Sequence, residues 1–369
     1  MNIIEKLRAI FESPKPIPQG FYTYHTPENK TPQYRLHLRV EPDGEGVLIV
    51  NASTILHLNQ TATEMVYNLI NGKSDQENAR LVASHFKVDP QTCLTDVTLL
   101  HHQLEELVTT IDLDPEHQGI FEAHNNVDNL SAPYRLDCYL NGGSLGLKAN
   151  LKLDDWKNII KKAYEAGIPH ILFCGSEPTE VDYLTDLLAY TEEFGLVSGL
   201  VSRGQKLSDS AYVARMIESG LDHLYAVYEP SDPLIQTALQ QILPLDLFTC
   251  VGLVVREGVD YGPILDSLSK LGANAFSVIS PATIADKFAL QLTEDISSYE
   301  LRLINDLPIP VEYHHPTMVD MAITGKESYT ELSVSPKGEV YADNTWQEKM
   351  GNWLSDSFED IWSKRKMDE

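Results

Sequence analysis

The sequence predicts an α/β chain in two parts. A small, winged-helix-like α+β domain comes first, and a partial (β/α)6 barrel of the TIM type with a short C-terminal tail follows. Two patterns carry that expectation. Between residues 34 and 113, alternating apolar positions give way to three helically spaced stretches. After Pro133, strands and helices take turns, the signature of parallel β/α architecture. Length agrees, because 369 residues exceed one average domain and suit two or three.

Charge narrows the function classes. Twenty-eight bases against 54 acids give a net charge of −26, which repels phosphate backbones and anionic headgroups. Nucleic acid and membrane are therefore excluded as partners. The apolar share of 43% allows a large core, and no apolar run reaches the ~18–20 residues of a membrane span. Met1 to Ser13 reads as an amphipathic helix with Ile3, Ile4, Leu7, Ile10 and Phe11 on one side. It opens an N-terminal lead-in over 1–33. Glu5 and Glu12 interrupt it, so it is not a secretion signal, and a cytoplasmic chain is expected.

In the first domain, 34–113, Tyr34, Leu36, Leu38 and Val40 face one way. Asp43-Gly44 turns the chain into Val47–Val50, and Ile55–Leu58 follows, which predicts a three-stranded antiparallel meander. Asn59 or Thr61 caps a first helix through Met65, Val66, Leu69 and Ile70, and Gly72 stops it. Ser74 opens a second helix and Asp89-Pro90 a third, through Val97, Leu100, Leu104 and Val108. Three strands then three helices resemble the PqqD-like peptide-binding domain, the recognition element for ribosomally made, post-translationally modified peptides. That resemblance implies a leader peptide added beside the last strand, against the third helix. The groove would involve Leu56, His57, Leu58, Leu99, Gln103 and Leu104, and the leucines serve equally well as the domain's own core. The polar stretch 114–131 reads as a linker.

The second domain, 132–313, begins with a strand at Arg135–Leu140. Strands are also expected at His170–Cys174, Val197–Val201, Leu224–Tyr228, Phe248–Val255, Ala275–Ile279 and Pro310–Tyr313. Helices are expected near Asp154–Ala166, Val181–Glu193, Asp209–Glu218, Pro263–Lys270 and Thr293–Asn305. Ligands in such folds sit at the carboxyl ends of the strands. The run Gly167-Ile168-Pro169-His170 through Gly175-Ser176-Glu177-Pro178 resembles the second β/α unit of radical S-adenosylmethionine (SAM) enzymes, and Gly220-Leu221-Asp222-His223 fits one unit later. The tail, 314–369, is similar to the auxiliary-cluster (SPASM-like) tail of their peptide-modifying branch, through Ser335-Pro336-Lys337-Gly338-Glu339-Val340-Tyr341, Gly351-Asn352-Trp353 and Phe358–Trp362. The resemblance implies a residual SAM site at Gly175, Ser176, Glu177, Pro178, Ser202 and Glu229.

One departure shapes the expectations. Radical SAM enzymes take three thiolates at C-x3-C-x2-C after the first strand to hold a four-iron cluster. Asn141 to Gly146, the corresponding segment, has no cysteine, and the tail has none. The four cysteines, Cys93, Cys138, Cys174 and Cys250, form no C-x-x-C pair. The expectation is therefore no four-iron cluster, no resident cofactor, and SAM held weakly at most. No catalytic or metal-ligating set is assigned. His101-His102 diverge on a helix, and His314-His315 stand beside Glu312 and Asp320 after the last strand. The leading expectation is a cluster-free, radical SAM-like peptide-binding or accessory component of peptide maturation. Its partners would be a precursor or leader peptide and an intact radical SAM enzyme. Two rivals stay open: an enzyme binding SAM or another small ligand without iron, with Glu177 or Glu229 as base, and a regulatory protein with an inert barrel.

Overall fold

A computed structural model describes residues 17–27, 29–31, 34–50, 54–109, 130–142, 151–281, 286–299, 301, 303–304, 329–342, 346 and 348–365. The chain divides into two compact units, Met1–Ser131 and Ala132–Glu369. The expected helix at Met1 to Ser13, most of the 114–131 stretch, the strand at Pro310–Tyr313 and the His314-His315 pair lie outside the described residues.

Unit 1 is built on an antiparallel sheet of four strands in sequential order, β1 (Gly20–His25), β2 (Arg35–Val40), β3 (Gly46–Val50) and β4 (Thr54–Leu58). The expected meander had three. The extra strand, β1, pairs with β2 along its whole length, from Gly20 opposite Val40 to His25 opposite Arg35. Its alternating aromatics were hidden among Pro16, Pro18 and Gly20, residues that ordinarily mark turns. Gly44 supplies the left-handed residue of the β2–β3 turn at φ +86°.

Three helices follow: α1 (Gln60–Ile70), α2 (Asp75–Phe86) and α3 (Pro90–Thr109). Asn59 caps α1, its Oδ1 accepting from the Ala62 N–H at 2.9 Å. Ser74 and Glu77 form a capping box on α2. The Asp89 carboxylate accepts from the N–H groups of Gln91 and Thr92 at the start of α3. One sheet face, Leu36, Leu38, Leu48, Val50, Leu56 and Leu58, buries against Val66, Val82, Val97, Leu100 and Leu104. Each such burial contributes about 1.5–3 kcal/mol.

Unit 2 is a nine-stranded sheet. Its parallel part runs in sequential order through β5 (Arg135–Asn141), β6 (His170–Gly175), β7 (Val197–Ser202), β8 (His223–Tyr228), β9 (Phe248–Val254) and β10 (Ala275–Ile279). The intervening helices are α4 (Leu153–Glu165), α5 (Leu184–Glu193), α6 (Ser210–Glu218), α7 (Pro233–Ile242), α8 (Gly262–Leu271) and α9 (Asp286–Ser298). The sequence reading passed over α7, although Asp232 caps it and Pro233 opens it. It also set α9 several residues too late.

The tail is not an appendage. Strand β11 (Glu331–Val334) pairs parallel to β5, with Glu331 opposite Arg135 and Val334 opposite Cys138. A hairpin of β12 (Glu339–Tyr341) and β13 (Lys349–Asn352) extends the sheet, and a short helix, α10 (Phe358–Trp362), closes the described chain. Lys162 of α4 donates to the Trp353 carbonyl at 2.7 Å, fastening this segment down.

Right-handed crossovers between strands in sequential order put the helices on one face of the sheet. The helix-free face carries Tyr139, Leu172, Cys174, Val201, Tyr225, Val227, Cys250 and Val254 as a buried cluster. Among the described residues, no helix is long and apolar enough to cross a membrane.

Candidate functional site

The carboxyl ends of β6 and β7 bring together five of the six residues expected at a SAM-type site. Strand β6 ends on Gly175 at φ +136°, where a Cβ would lie 2.5 Å from the Asn141 carbonyl, so only glycine fits. Asn141, at the end of β5, clamps the turn. Its Nδ2 donates to the Glu177 carbonyl at 2.8 Å, and its Oδ1 accepts from the Glu177 N–H at 3.2 Å. Pro178 then opens one turn of 3-10 helix, Pro178–Glu180.

Glu177 is buried, at 4% exposure. Its Oε1 accepts from the Ser202 hydroxyl at 2.7 Å, from the Thr179 N–H at 3.2 Å and from the Thr179 hydroxyl; its Oε2 accepts from the Arg203 N–H at 2.8 Å. The carboxylate therefore staples the β6 turn to the end of β7. Burial and the Glu177 charge push the nearby Tyr212 phenol up to about 12, and Tyr212 donates to the Thr179 carbonyl. With both oxygens engaged, Glu177 is poorly placed to act as a base. The Ser176 hydroxyl, by contrast, is buried with no hydrogen-bond partner. Asn141, Thr179 and Arg203 were not singled out from the sequence. Their signal is positional, since each lies within four residues of a strand end.

Glu229, the sixth residue, follows β8 and belongs to a different arrangement. Arg256 grips it through both Nε, at 3.1 Å, and Nη2. The Arg256 N–H donates to Tyr261 Oη, whose own hydroxyl donates to the Val254 carbonyl at 2.6 Å.

In unit 1 the six expected groove residues divide. Leu56, Leu58 and Leu104 lie in the core, and Gln103 is buried at 7% exposure. Leu99 is exposed at 45%, and His57 is half-buried. Ile55, which the sequence reading left out, is exposed at 42% on the same strand as His57 and of the same parity. Strand alternation explains the division, because positions 56 and 58 face the helices while 55 and 57 face away.

The four cysteines are all buried, one in α3 and one each in β5, β6 and β9. Burial pushes the Cys138 and Cys174 thiols well up, with the Asp137 charge adding to it. Such thiols stay protonated in these surroundings. Among the described residues, no three histidine, cysteine or acidic side chains are grouped to hold a metal.

No protein-family model matches the chain. A stretch of 87 residues is 29% identical to the PqqA peptide cyclase of Rhodopseudomonas palustris (strain ATCC BAA-98 / CGA009), covering 24% of this chain and 23% of that protein. The chain thus matches about a quarter of the length of this relative. The fold is similar to that of SuiB from Streptococcus suis bound to S-adenosylmethionine, with a TM-score of 0.57 at 14% identity, covering 94% of this chain and 89% of that one. SuiB bound to its precursor peptide SuiA gives a TM-score of 0.56 at 15% identity, covering 90% and 87%. These likenesses correct the expectation of no cofactor and of SAM held weakly at most, since the fold is one solved with S-adenosylmethionine in place. The chain therefore has the fold of SuiB across nearly all of its length.

Proposed function

We propose that this chain works in the maturation of a ribosomally made peptide. Unit 1 takes the precursor's leader as an added strand beside β4, and unit 2 holds S-adenosylmethionine at the turn after β6. The observation that carries this reading is the fold shared over 94% of the chain with a protein solved with S-adenosylmethionine and, separately, with a precursor peptide.

The residues fit the cofactor at one point in particular. A buried hydroxyl without a partner is rare in folded proteins, and Ser176 leaves one at the turn. The ammonium or carboxylate of the methionine moiety would satisfy it. Gly175, Glu177, Pro178 and Ser202 form the frame of the cradle, and Glu229 with Arg256 stands at the end of the next strand. When bound, S-adenosylmethionine supplies a carbon activated by its sulfonium. The chain's own part is to fix the turn, through Asn141 and Glu177, and to keep water from it.

For the peptide, β4 is the terminal strand of its sheet and carries Ile55 and His57 on the face turned from the core. An added strand gains main-chain hydrogen bonds, and alternate side chains read the surface beside it. Leu99 on α3 supplies the apolar contact, while Leu56, Leu58, Gln103 and Leu104 support the groove from within. Acidic residues along α3, Glu105 at 64% and Glu106 at 46% exposure among them, favour a lysine-bearing leader.

Two measurements on the full chain test this. Fluorescence anisotropy against labelled peptides encoded beside the gene should show saturable binding, weakened about tenfold or more by Ile55→Asp. Calorimetry with S-adenosylmethionine should show a binding heat that Ser176→Ala reduces. If no such peptide binds and the cofactor gives no heat, the reading is wrong.

A further inference from the structure

Trp346, between β12 and β13, holds a conformation that two of its own features disfavour. Its backbone lies at φ +63°, a region that bulky side chains rarely adopt. Lys87, the other such non-glycine residue described, merely ends α2. The Trp346 indole N–H is buried with no hydrogen-bond partner. Backbone strain and an unmet donor at one residue mark a place shaped for a ligand.

The rings around it narrow the ligand's chemistry. Trp346 stands edge-on to Tyr139, with centroids 4.6 Å apart at 72°, and to Tyr341, at 4.9 Å and 78°. Two tyrosines nearly perpendicular to one indole make the walls of an aromatic box. Neither phenol is left over for a guest. The Tyr139 hydroxyl is hydrogen-bonded with the Cys174 thiol, and the Tyr341 hydroxyl donates to Glu339 at 3.4 Å. Ring faces attract cations through their quadrupole, and boxes of this kind take methylated onium ions. The local field agrees. Asp137 and Glu331 stand beside Tyr139, and Arg135 pairs with both, so two carboxylates face one guanidinium. An ammonium or guanidinium group would give up its water in the box without gaining an acceptor. A cation whose charge is spread over alkyl groups has no donors to satisfy and loses little.

Position identifies the cation. Tyr139 lies two residues before Asn141, which clamps the turn after β6. Its partner Cys174 directly precedes Gly175. Trp346 packs against the cluster that holds Tyr139, Cys174 and Val201, the last directly before Ser202. The box therefore borders the turn proposed to hold S-adenosylmethionine. That ligand carries one sulfonium and, on the same short chain, a carboxylate able to accept from the Trp346 N–H.

We propose that Tyr139, Trp346 and Tyr341 form an aromatic box for a methylated onium cation, and that its occupant is the sulfonium of S-adenosylmethionine. This rests on the cofactor reading and adds to it a site for the ligand's positive charge.

The test uses the full chain labelled with 5-fluorotryptophan, whose four tryptophans give separate fluorine resonances, with Trp346→Leu assigning the one of interest. Tetramethylammonium chloride is the probe, and ammonium chloride at equal ionic strength is the control. The Trp346 resonance should shift saturably with the first and not with the second, while those of Trp156, Trp353 and Trp362 stay in place. Calorimetry then compares S-adenosylmethionine with S-adenosylhomocysteine, which lacks the methyl group and the charge. The parent should bind the charged compound about fivefold more tightly or better, and Trp346→Leu and Tyr341→Leu should each narrow that ratio to below about twofold. A silent Trp346 resonance, an equal response to ammonium, equal affinities for the two compounds, or a ratio unchanged in both variants would overturn the proposal. Binding heat from S-adenosylmethionine with a silent Trp346 sinks the box alone. A responding Trp346 with no such heat sinks the cofactor reading, and the sulfonium as occupant with it, and leaves the onium box standing.

Discussion

Glu177 offers the sharpest test of how the strand-end turn is held. Its carboxylate accepts four hydrogen bonds, from Ser202, Arg203 and twice from Thr179, at 4% exposure. Glu177→Ala strands those donors in a dry pocket. A hydrogen bond to a charged group contributes about 1.5–3 kcal/mol, and losses within one network do not add, so the expected cost is about 3–5 kcal/mol. Unit 2, at the size of residues 132 to 369, should lose about 2–4 °C in Tm per kcal/mol, a total near 10 °C. Glu177→Gln keeps one acceptor oxygen but turns an amide NH2 toward another donor, and should cost roughly half as much. Differential scanning calorimetry of the three proteins at pH 7 reads the effect directly. An alanine variant melting within about 2 °C of the parent would refute the staple, because nothing else so buried could be removed so cheaply.

Ile55→Asp should leave the melting temperature of the full chain unchanged while weakening leader binding, whereas Leu58→Asp, in the core, should cost unit 1 its circular dichroism signal. Burial, with Arg135 adding to it, lowers the pKa of His223 to about 4 from its ordinary 6.5. The folded state therefore binds fewer protons than the unfolded one between those values, and stability falls as pH drops from about 6.5 toward 4, by up to roughly 3 kcal/mol. Melting curves of His223→Gln over the same range should lack that portion of the slope, and equal slopes in the two proteins would count against it. Gly199→Ala would set a Cβ 2.2 Å from His223 Nε2 and 2.6 Å from Leu172 Cδ1. It should cost about 1–3 kcal/mol in denaturant titration, with part of that recovered in a His223→Ala background.

Much of the architecture was legible because local patterns carried it. Asn59, Ser74 and Asp89 cap their helices through hydrogen bonds that a reader of residue order can anticipate. The alternation of β2 and β3 is similarly plain. What escaped was set by distant partners. Strand β1 pairs only because β2 offers it an edge, and β11 is four residues long beside a strand nearly two hundred positions earlier. At the site, Glu177 was found from the motif around it, but its burial depends on Ser202 and Arg203, which the fold alone brings near. Trp346 gave no local signal, since a positive φ at tryptophan is written nowhere in its neighbours. Strand parity could have exchanged Leu56 and Leu58 for Ile55, because in an edge strand beside helices only one parity is left for a partner.

The placement of β11 has a consequence for how the protein is made. Arg135 and Glu331, opposite each other in the finished sheet, are separated by 196 residues. At roughly 5–20 residues per second, a ribosome needs about 10–40 s to deliver the second after the first. Through that interval β5, rich in Leu136, Cys138, Tyr139 and Leu140, can pair with β6 on one side while its other side waits. An apolar strand with a waiting edge invites pairing with a neighbouring chain. The vulnerable stage of this molecule is therefore the interval in which residues 136 to 331 are made, and slower growth or a holding chaperone should raise the soluble yield more than any substitution in the finished core.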